Sequence, residues 1–318
     1  MPQPTARELH VDQLLTNISL AYKNQSYIAD LIFPMVPVEK QSDKIASYDQ
    51  SFWFRDQAHL RAPATKSQGG GFKVDTSAIY FADRYSFRFE IADPIRENAD
   101  APFNLDRDAA EFVTDKMQMK REVMWATDFF KTGVWGADRV GGVDFTQWSD
   151  YGGSTPLTDM TGFMDNIELR IAREANTAVM GKQVYNQLKW HPDLLETIKY
   201  TQRGQLTPEL IASLMEVERL LVGRSILTTT PEGVAEASVT YSRIWGKNVL
   251  LLFVPPSPSL LTPAAGYTFV WRRVAGAIQY IKRMRDEERE VDIIEGNTNF
   301  DQKVTAARAG EFLSLAVA

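Results

Sequence analysis

The clearest alternation in the chain runs through RYSFRFEIAD, residues 84–93. Tyr85, Phe87, Phe89 and Ile91 form one set, with Ser86, Arg88 and Glu90 interleaved. Period two puts each set on its own face of a β-strand, one dry and one wet. An aromatic, β-prone stretch, IASYDQSFWFR, lies upstream at 45–55. Between the two comes RDQAHLRAPATKSQGGG, rich in turn formers. The pattern predicts a long two-stranded excursion within residues 36–93, with a flexible tip at Gly69, Gly70 and Gly71. A lone hairpin of that length is barely stable in water, so it needs another surface to lie on.

Pro94 closes the second ribbon. LDRDAAEFVTDKMQMKREVMWATDFFKTG then runs without glycine or proline until Gly133. Asp106 and Asp108 suit the first turn of a helix, where negative charge meets the positive end of the dipole. Phe112, Met119, Val123, Ala126 and Phe130 recur at three-four spacing, with Val113, Met117 and Met124 beside them. A helix over 105–132 is expected, long for a globular protein. DMTGFMDNIELRIAREA predicts another, with Met160, Phe163, Ile167 and Ile171 on one face. Upstream, LHVDQLLTNISLAY has Leu14, Ile18 and Ala21 at helical spacing.

From residue 176 the character changes. NTAVMG reads as a short strand, and KQVYNQLKW and HPDLLETIKY as short helices, with Pro192 in the first turn of the second. Thr207 followed by Pro208 is an N-cap and first helical residue. RLLVGRSILTT and KNVLLLFVP are candidates for buried strands. After 266 the pattern returns to strands, in YTFVWRRV, AGAIQYIKRM and EREVDIIEG.

Composition narrows the function. The 318 residues carry 35 Lys and Arg against 41 Asp and Glu, a formal net charge of −6. A generic nucleic-acid binder should be basic, because phosphate neutralisation supplies its affinity. The chain has no cysteine, which excludes disulfides and thiolate metal sites. Its N-terminus lacks a secretory signal. NVLLLFVPP is too short an apolar run to span a bilayer, and a soluble chain is expected.

No catalytic constellation emerges. His10, His59 and His191 are far apart and lack metal-ligand spacing. His191 precedes Pro192 at a helix start, a structural position. No G-x-S-x-G elbow, Walker A loop or dinucleotide fingerprint occurs, so Gly69–Gly71 read as a turn or hinge. The glycines and aspartates of 134–159 do not match an EF-hand loop. The charged run RMRDEEREVD reads as a solvated face. Catalytic, cofactor-binding and metal residues are therefore assigned to none, and no cofactor is expected.

The order of parts resembles the HK97-like major capsid proteins of tailed double-stranded DNA phages. Phrases such as NTAVMGKQVYNQLKWHPDLLETIKY and YTFVWRRVAGAIQYIKRMRDEE carry the likeness, which covers essentially the whole chain. The resemblance implies an α+β fold: an N-terminal arm at 1–35, an extended β-hairpin E-loop at 36–93, and a P-domain at 94–175 whose spine helix is 105–132. An α/β A-domain follows at 176–265, and strands at 266–318 return to the P-domain and finish there. It implies a structural protein, not an enzyme, that self-assembles into pentamers and hexamers of an icosahedral shell around the genome. Phe52, Trp53, Tyr85, Phe87 and Phe89 are then expected to contact the next subunit. Gly69, Gly70 and Gly71 would let identical chains bend differently.

Expected partners are other copies of the chain, a separate scaffolding protein, a portal, decoration or cement proteins, and packaged DNA bound without sequence specificity. No membrane is expected. The protein would reside in the virion after assembly in the host cytoplasm. Some family members join an E-loop lysine to a P-domain asparagine; Lys66 with Asn297 or Asn299 could be placed that way, although no spacing rule supports it. Alternatives are an encapsulin-like compartment shell, a tail or baseplate protein, and an enzyme with an unrecognised site.

Overall fold

The computed structural model describes residues 24, 27–48, 50–99, 104–199, 206–258, 262–272 and 279–318. The helix expected around Leu14, Ile18 and Ala21, and nearly all of the arm at 1–35, lie outside the described residues. In chain order the first elements are α1 (Ala29–Ile32), β1 (Met35–Val38), β2 (Ser42–Lys44), β3 (Ser47–Tyr48), α2 (Gln50–Trp53), β4 (Val74–Asp75), β5 (Ile79–Phe81), β6 (Asp83–Ala92), α3 (Asp93–Glu97) and α4 (Leu105–Phe129). Then come β7 (Ala137–Val140), α5 (Pro156–Ile171), β8 (Thr177–Gly181), α6 (Lys182–Leu188), α7 (Pro192–Ile198), α8 (Pro208–Leu214), β9 (Arg219–Gly223), β10 (Ile226–Thr228), β11 (Tyr241–Arg243) and β12 (Val249–Leu252). The last are β13 (Gly266–Trp271), β14 (Gln279–Asp286), β15 (Val291–Val304) and β16 (Gly310–Ser314). The mixture of helices and sheets is α+β.

β15, 14 residues long, organises the first sheet. Along one edge it pairs antiparallel with β6, from Val291 opposite Ala92 to Phe300 opposite Asp83. Along the other it pairs first with β14 and then with β13. β1 adds in parallel to β13. Both faces of β15 are buried over much of its length, so it does not show the simple alternation expected from EREVDIIEG. Its polar run Asn297–Thr298–Asn299 hid its full extent in the sequence.

α4 lies across this sheet. Its 25 residues span about 38 Å at 1.5 Å per residue. Asn104 caps it, its side chain accepting from the Arg107 N–H at 3.1 Å. Gly296 permits the close approach: a Cβ there would lie 2.3 Å from Val113 Cγ1. The buried residues of α4 are Ala109, Val113, Met117, Arg121, Glu122 and Trp125. This corrects the expected stripe, since Phe112 is exposed while the charged Arg121 and Glu122 are interior.

Those charges are buried because other segments supply partners. Glu122 accepts from the Ile28 and Ala29 N–H groups at 2.9 and 2.8 Å, and from Ser225 Oγ and Trp245 Nε1 at 2.9 and 2.6 Å. Arg121 pairs with Asp30 at 3.0 Å. Burial pushes the Glu122 carboxyl up while the four donors pull it down, and burial dominates. The start of α1 is thereby bolted to the middle of α4.

The second sheet has the order β7-β16-β12-β8-β9. β8 and β9 are parallel, β12 runs antiparallel to β8 and β16, and β7 is parallel to β16. The C-terminal strand β16 ends in this sheet, between β7, which lies in the 94–175 stretch expected as P-domain, and β12, which lies in the 176–265 stretch expected as A-domain. The pull is hydrophobic: Phe312, Leu313, Ala316 and Val317 are buried in the main core with Val249–Leu252. α5 packs on the same core through Met160, Phe163, Ile167 and Ile171, the expected face.

Short helices follow their caps. Thr207 Oγ1 accepts from the Leu210 N–H at 3.3 Å. His191, the expected structural histidine, caps α7 by accepting from the Asp193 N–H at 3.2 Å, and its Nε2 lies 2.9 Å from Ser154 Oγ. Burial holds this imidazole below its ordinary range.

Candidate assembly surfaces

The segment 39–82 leaves the first sheet after β1 and re-enters it as β6. Its stem is a narrow ladder. β2 pairs with β5 and β3 with β4, both antiparallel. The Ala82 N–H donates to the Gln41 carbonyl and the Ile45 N–H to Ala78, both at 2.8 Å. Beyond the stem only α2 is regular before Val74.

Little of this excursion is covered by its own chain. Trp53, Phe54 and Phe72 are 55–61% exposed, and Leu60 is fully exposed. Tyr48, Trp53 and Phe72 form a loose ring cluster with centroids 5.6–6.2 Å apart. Phe52 is half-buried under the Arg55 guanidinium, 5.3 Å from its ring. Isolated exposed apolar residues are ordinary, but a group on one thin ribbon marks an interaction surface. Gly69, Gly70 and Gly71 sit at the exposed tip, none at positive φ, with open space beside Gly69 and Gly71.

Tyr85, Phe87 and Phe89 belong to a different environment. They are half-buried and their rings meet their own chain: Tyr85 lies 5.1 Å from Phe300, and Phe87 and Phe89 lie 5.8 and 5.9 Å from Phe112 of α4. The dry face of the ribbon is thus lined largely by α4, not by a neighbour alone. Period two gave the face correctly; it could not say whose surface would cover it.

An ion-pair cluster fastens the end of β6 to the β14–β15 turn. Arg285 forks onto both Asp93 oxygens at 2.6 and 2.5 Å, and Arg289 onto Glu90 at 3.2 and 2.5 Å. Arg96 bridges Asp106 and Asp292. The charged run at 283–292 is thus partly tied down. The Arg289 hydrogen bond holds Glu90, and the Arg285 hydrogen bond holds Asp93, below their ordinary values of 4.5 and 3.8. Depressed carboxylates stabilise the fold above those values, and the contribution fades as pH falls through the lower folded values. The melting-temperature deficit of an Arg285→Ala/Arg289→Ala variant is therefore expected to shrink below about pH 4. A deficit that stays constant down to pH 3 would contradict this assignment.

The residues considered for a cross-link sit apart in character. Lys66 is exposed at the tip, whereas Asn297 and Asn299 are buried. Asn297 Oδ1 accepts from Arg84 Nε at 2.8 Å, and its amide donates to Glu295 at 2.8 Å. Among the described residues no helix is long and apolar enough to cross a membrane, and no cluster of His, Asp or Glu is placed to hold a metal ion.

No family model matches the sequence. The chain is 27% identical over 312 residues to the major capsid protein of Burkholderia phage BcepMu, covering 96% of each. It is 26% identical over 248 residues to the major capsid protein of Pseudomonas phage JBD67, covering 76% of this chain and 77% of that one. Among solved structures, a phage-related protein from Bordetella bronchiseptica RB50 superposes with a TM-score of 0.67 at 22% identity, covering 93% of each chain. The capsid of cyanophage P-SCSP1u gives a TM-score of 0.61 at 10% identity, covering 98% of this chain and 95% of that one. A match along nearly the full length of the BcepMu protein and a shared architecture lead to one conclusion: the chain has the HK97-like fold of phage capsid subunits and is similar to phage major capsid proteins.

Proposed function

We propose that copies of this chain associate into pentamers and hexamers that tile an icosahedral shell around a double-stranded DNA genome. The excursion at 39–82 acts as the E-loop of this shell, the sheet of β15 with α4 as its P-domain, and the second sheet as its A-domain. The observation that carries the reading is the exposed aromatic ribbon, which gains cover only on another molecule. Burying apolar area there contributes roughly 25 cal/mol per Å², and obligate assemblies bury ~2,000 Å² or more. Phe52 and Trp53 are its inter-subunit contacts, and the glycine tip absorbs differences between ring positions. Heterologous contacts that close into rings suit such a lattice.

The role is structural, and no reaction is assigned to it. A scaffolding protein, a portal and decoration proteins complete the particle. DNA is held without sequence readout, and a net charge of −6 disfavours tight binding to it. Deleting residues 56–72 is expected to leave a folded subunit, with an unchanged circular dichroism spectrum, that forms no shells in electron micrographs. Normal shells from that variant would remove the excursion as the assembly element.

A second reading shares the fold. The chain superposes on the SrpI encapsulin of Synechococcus elongatus PCC 7942 with a TM-score of 0.53 at 10% identity. The phage relatives, one of them matched along nearly its full length, favour a genome as cargo. Particles purified from infected cells that hold a cargo enzyme and no DNA would reverse that preference.

A further inference from the structure

The carboxyl ends of the parallel strands β8 and β9 carry an unusual patch for an acidic protein. Lys182 follows β8, and Arg224 follows β9. Lys189 lies at the end of α6 and Arg243 at the end of β11. Arg224 and Arg243 are exposed, and none of the four has a carboxylate partner among the described residues. Burial first, then the neighbouring Arg224, Lys189 and Arg243, hold the Lys182 ammonium below its ordinary range. Four cations crowded together without a counter-charge repel one another in the isolated subunit.

The matching charge sits on the same hairpin but out of reach. β10 and β11 pair from Ile226 opposite Arg243 to Thr228 opposite Tyr241. The Thr240 N–H extends the ladder by donating to Thr230 Oγ1 at 3.1 Å. Residues 231–238 then form a wholly exposed tip bearing Glu232 and Glu236 and no basic residue. Four ladder positions at ~3.3 Å each put that tip about 13 Å or more beyond Arg243. That exceeds the ~8 Å screening length at physiological ionic strength. The tip cannot neutralise its own root.

We propose that the acidic β10–β11 tip of one subunit docks on the Lys182, Lys189, Arg224 and Arg243 patch of the next copy. Root and tip of one hairpin form the two halves of a head-to-tail contact, which repeats around a ring. Charge complementarity of this kind selects the partner and its register. The inference rests on the self-assembly proposed above and names one contact within it.

The test uses two full-length variants, Arg224→Glu/Arg243→Glu and Glu232→Lys/Glu236→Lys. Each sets like charges against each other in every contact, and each is expected to lower shell yield by about tenfold or more at low salt. Combined in one chain, the four reversals set lysine tip against glutamate patch in every contact, in five- and six-membered rings alike, and shell yield should rise above that of either double variant. Thermal melts establish that both subunits are folded; if a reversal unfolds one, Arg224→Gln/Arg243→Gln and Glu232→Gln/Glu236→Gln replace them, each expected to lower yield. Wild-type yield from either double variant, or no recovery from a folded chain carrying all four reversals, overturns the proposal. So does an arginine variant that assembles normally but loses co-purifying nucleic acid, which would give the patch to phosphate. Wild-type protein that forms no shells would instead sink the capsid reading, and this contact with it.

Discussion

Glu122→Ala is expected to lower the unfolding free energy of the subunit by about 3–5 kcal/mol. The reason is what the substitution leaves behind. Two backbone N–H groups, at Ile28 and Ala29, and the Trp245 indole N–H all point at this carboxylate inside the protein. Each buried donor left unmade costs about 1–3 kcal/mol, and the losses overlap because water and small shifts recover part of them. Glu122→Gln should cost less. If its oxygen keeps the two backbone donors, its NH₂ can still donate to Ser225 Oγ but opposes the Trp245 N–H. The order alanine worse than glutamine worse than wild type, by urea denaturation of unassembled subunits, is the expected result. An alanine variant within 1 kcal/mol of wild type would mean that the α1–α4 junction is not fastened here.

The pH dependence of the same group has a definite sign. A carboxyl whose folded value is raised binds its proton more readily in the folded chain. Its contribution to stability therefore declines as pH rises from about 4.5 through the folded value, and is flat beyond it. Glu122→Gln removes that slope, the reverse of the Arg285/Arg289 cluster.

Gly181→Ala is the second large effect, at about 3 kcal/mol or more. The backbone there is extended, with φ −68° and ψ 152°, so alanine is conformationally acceptable. Space is the obstacle: a Cβ would lie 1.9 Å from the Gly246 carbonyl oxygen and 2.9 Å from its carbon. Overpacking against flexible side chains costs about 1–3 kcal/mol; here the obstacle is backbone. Gly246 itself holds φ +55°, so its peptide has little freedom to turn away. Because β8 is an interior strand of the second sheet, paired on both sides, the variant should be recovered mainly as aggregate. Wild-type melting behaviour would refute the close approach.

Much of the architecture was legible because it is written locally. Alternation through Tyr85, Phe87 and Phe89 marked β6. Three-four spacing of Met160, Phe163, Ile167 and Ile171 marked the buried face of α5, and Thr207–Pro208 and His191–Pro192 marked helix starts. What escaped was set by distant partners. The apolar spacing of α4 says nothing of Arg121 and Glu122, which Asp30, Ile28, Ser225 and Trp245 make interior. The polar stretch Asn297–Asn299 carries no apolar alternation, yet it is central strand with Arg84 folded over it. At the assembly surface, pattern alone could not separate rings covered by α4 from rings left bare. Tyr85, Phe87 and Phe89 belong to the first kind, and Trp53 and Phe72 to the second.

The two roots of the excursion have a mechanical consequence. It leaves through β1, laid lengthwise on β13, and returns through β6, laid lengthwise on β15 across ten paired residues. A tug on the ribbon along these strands tries to slide each past its neighbour instead of peeling it from one end. Many ladder bonds then share the tension simultaneously, so a pull along the ribbon meets its joints in the direction where they are hardest to tear.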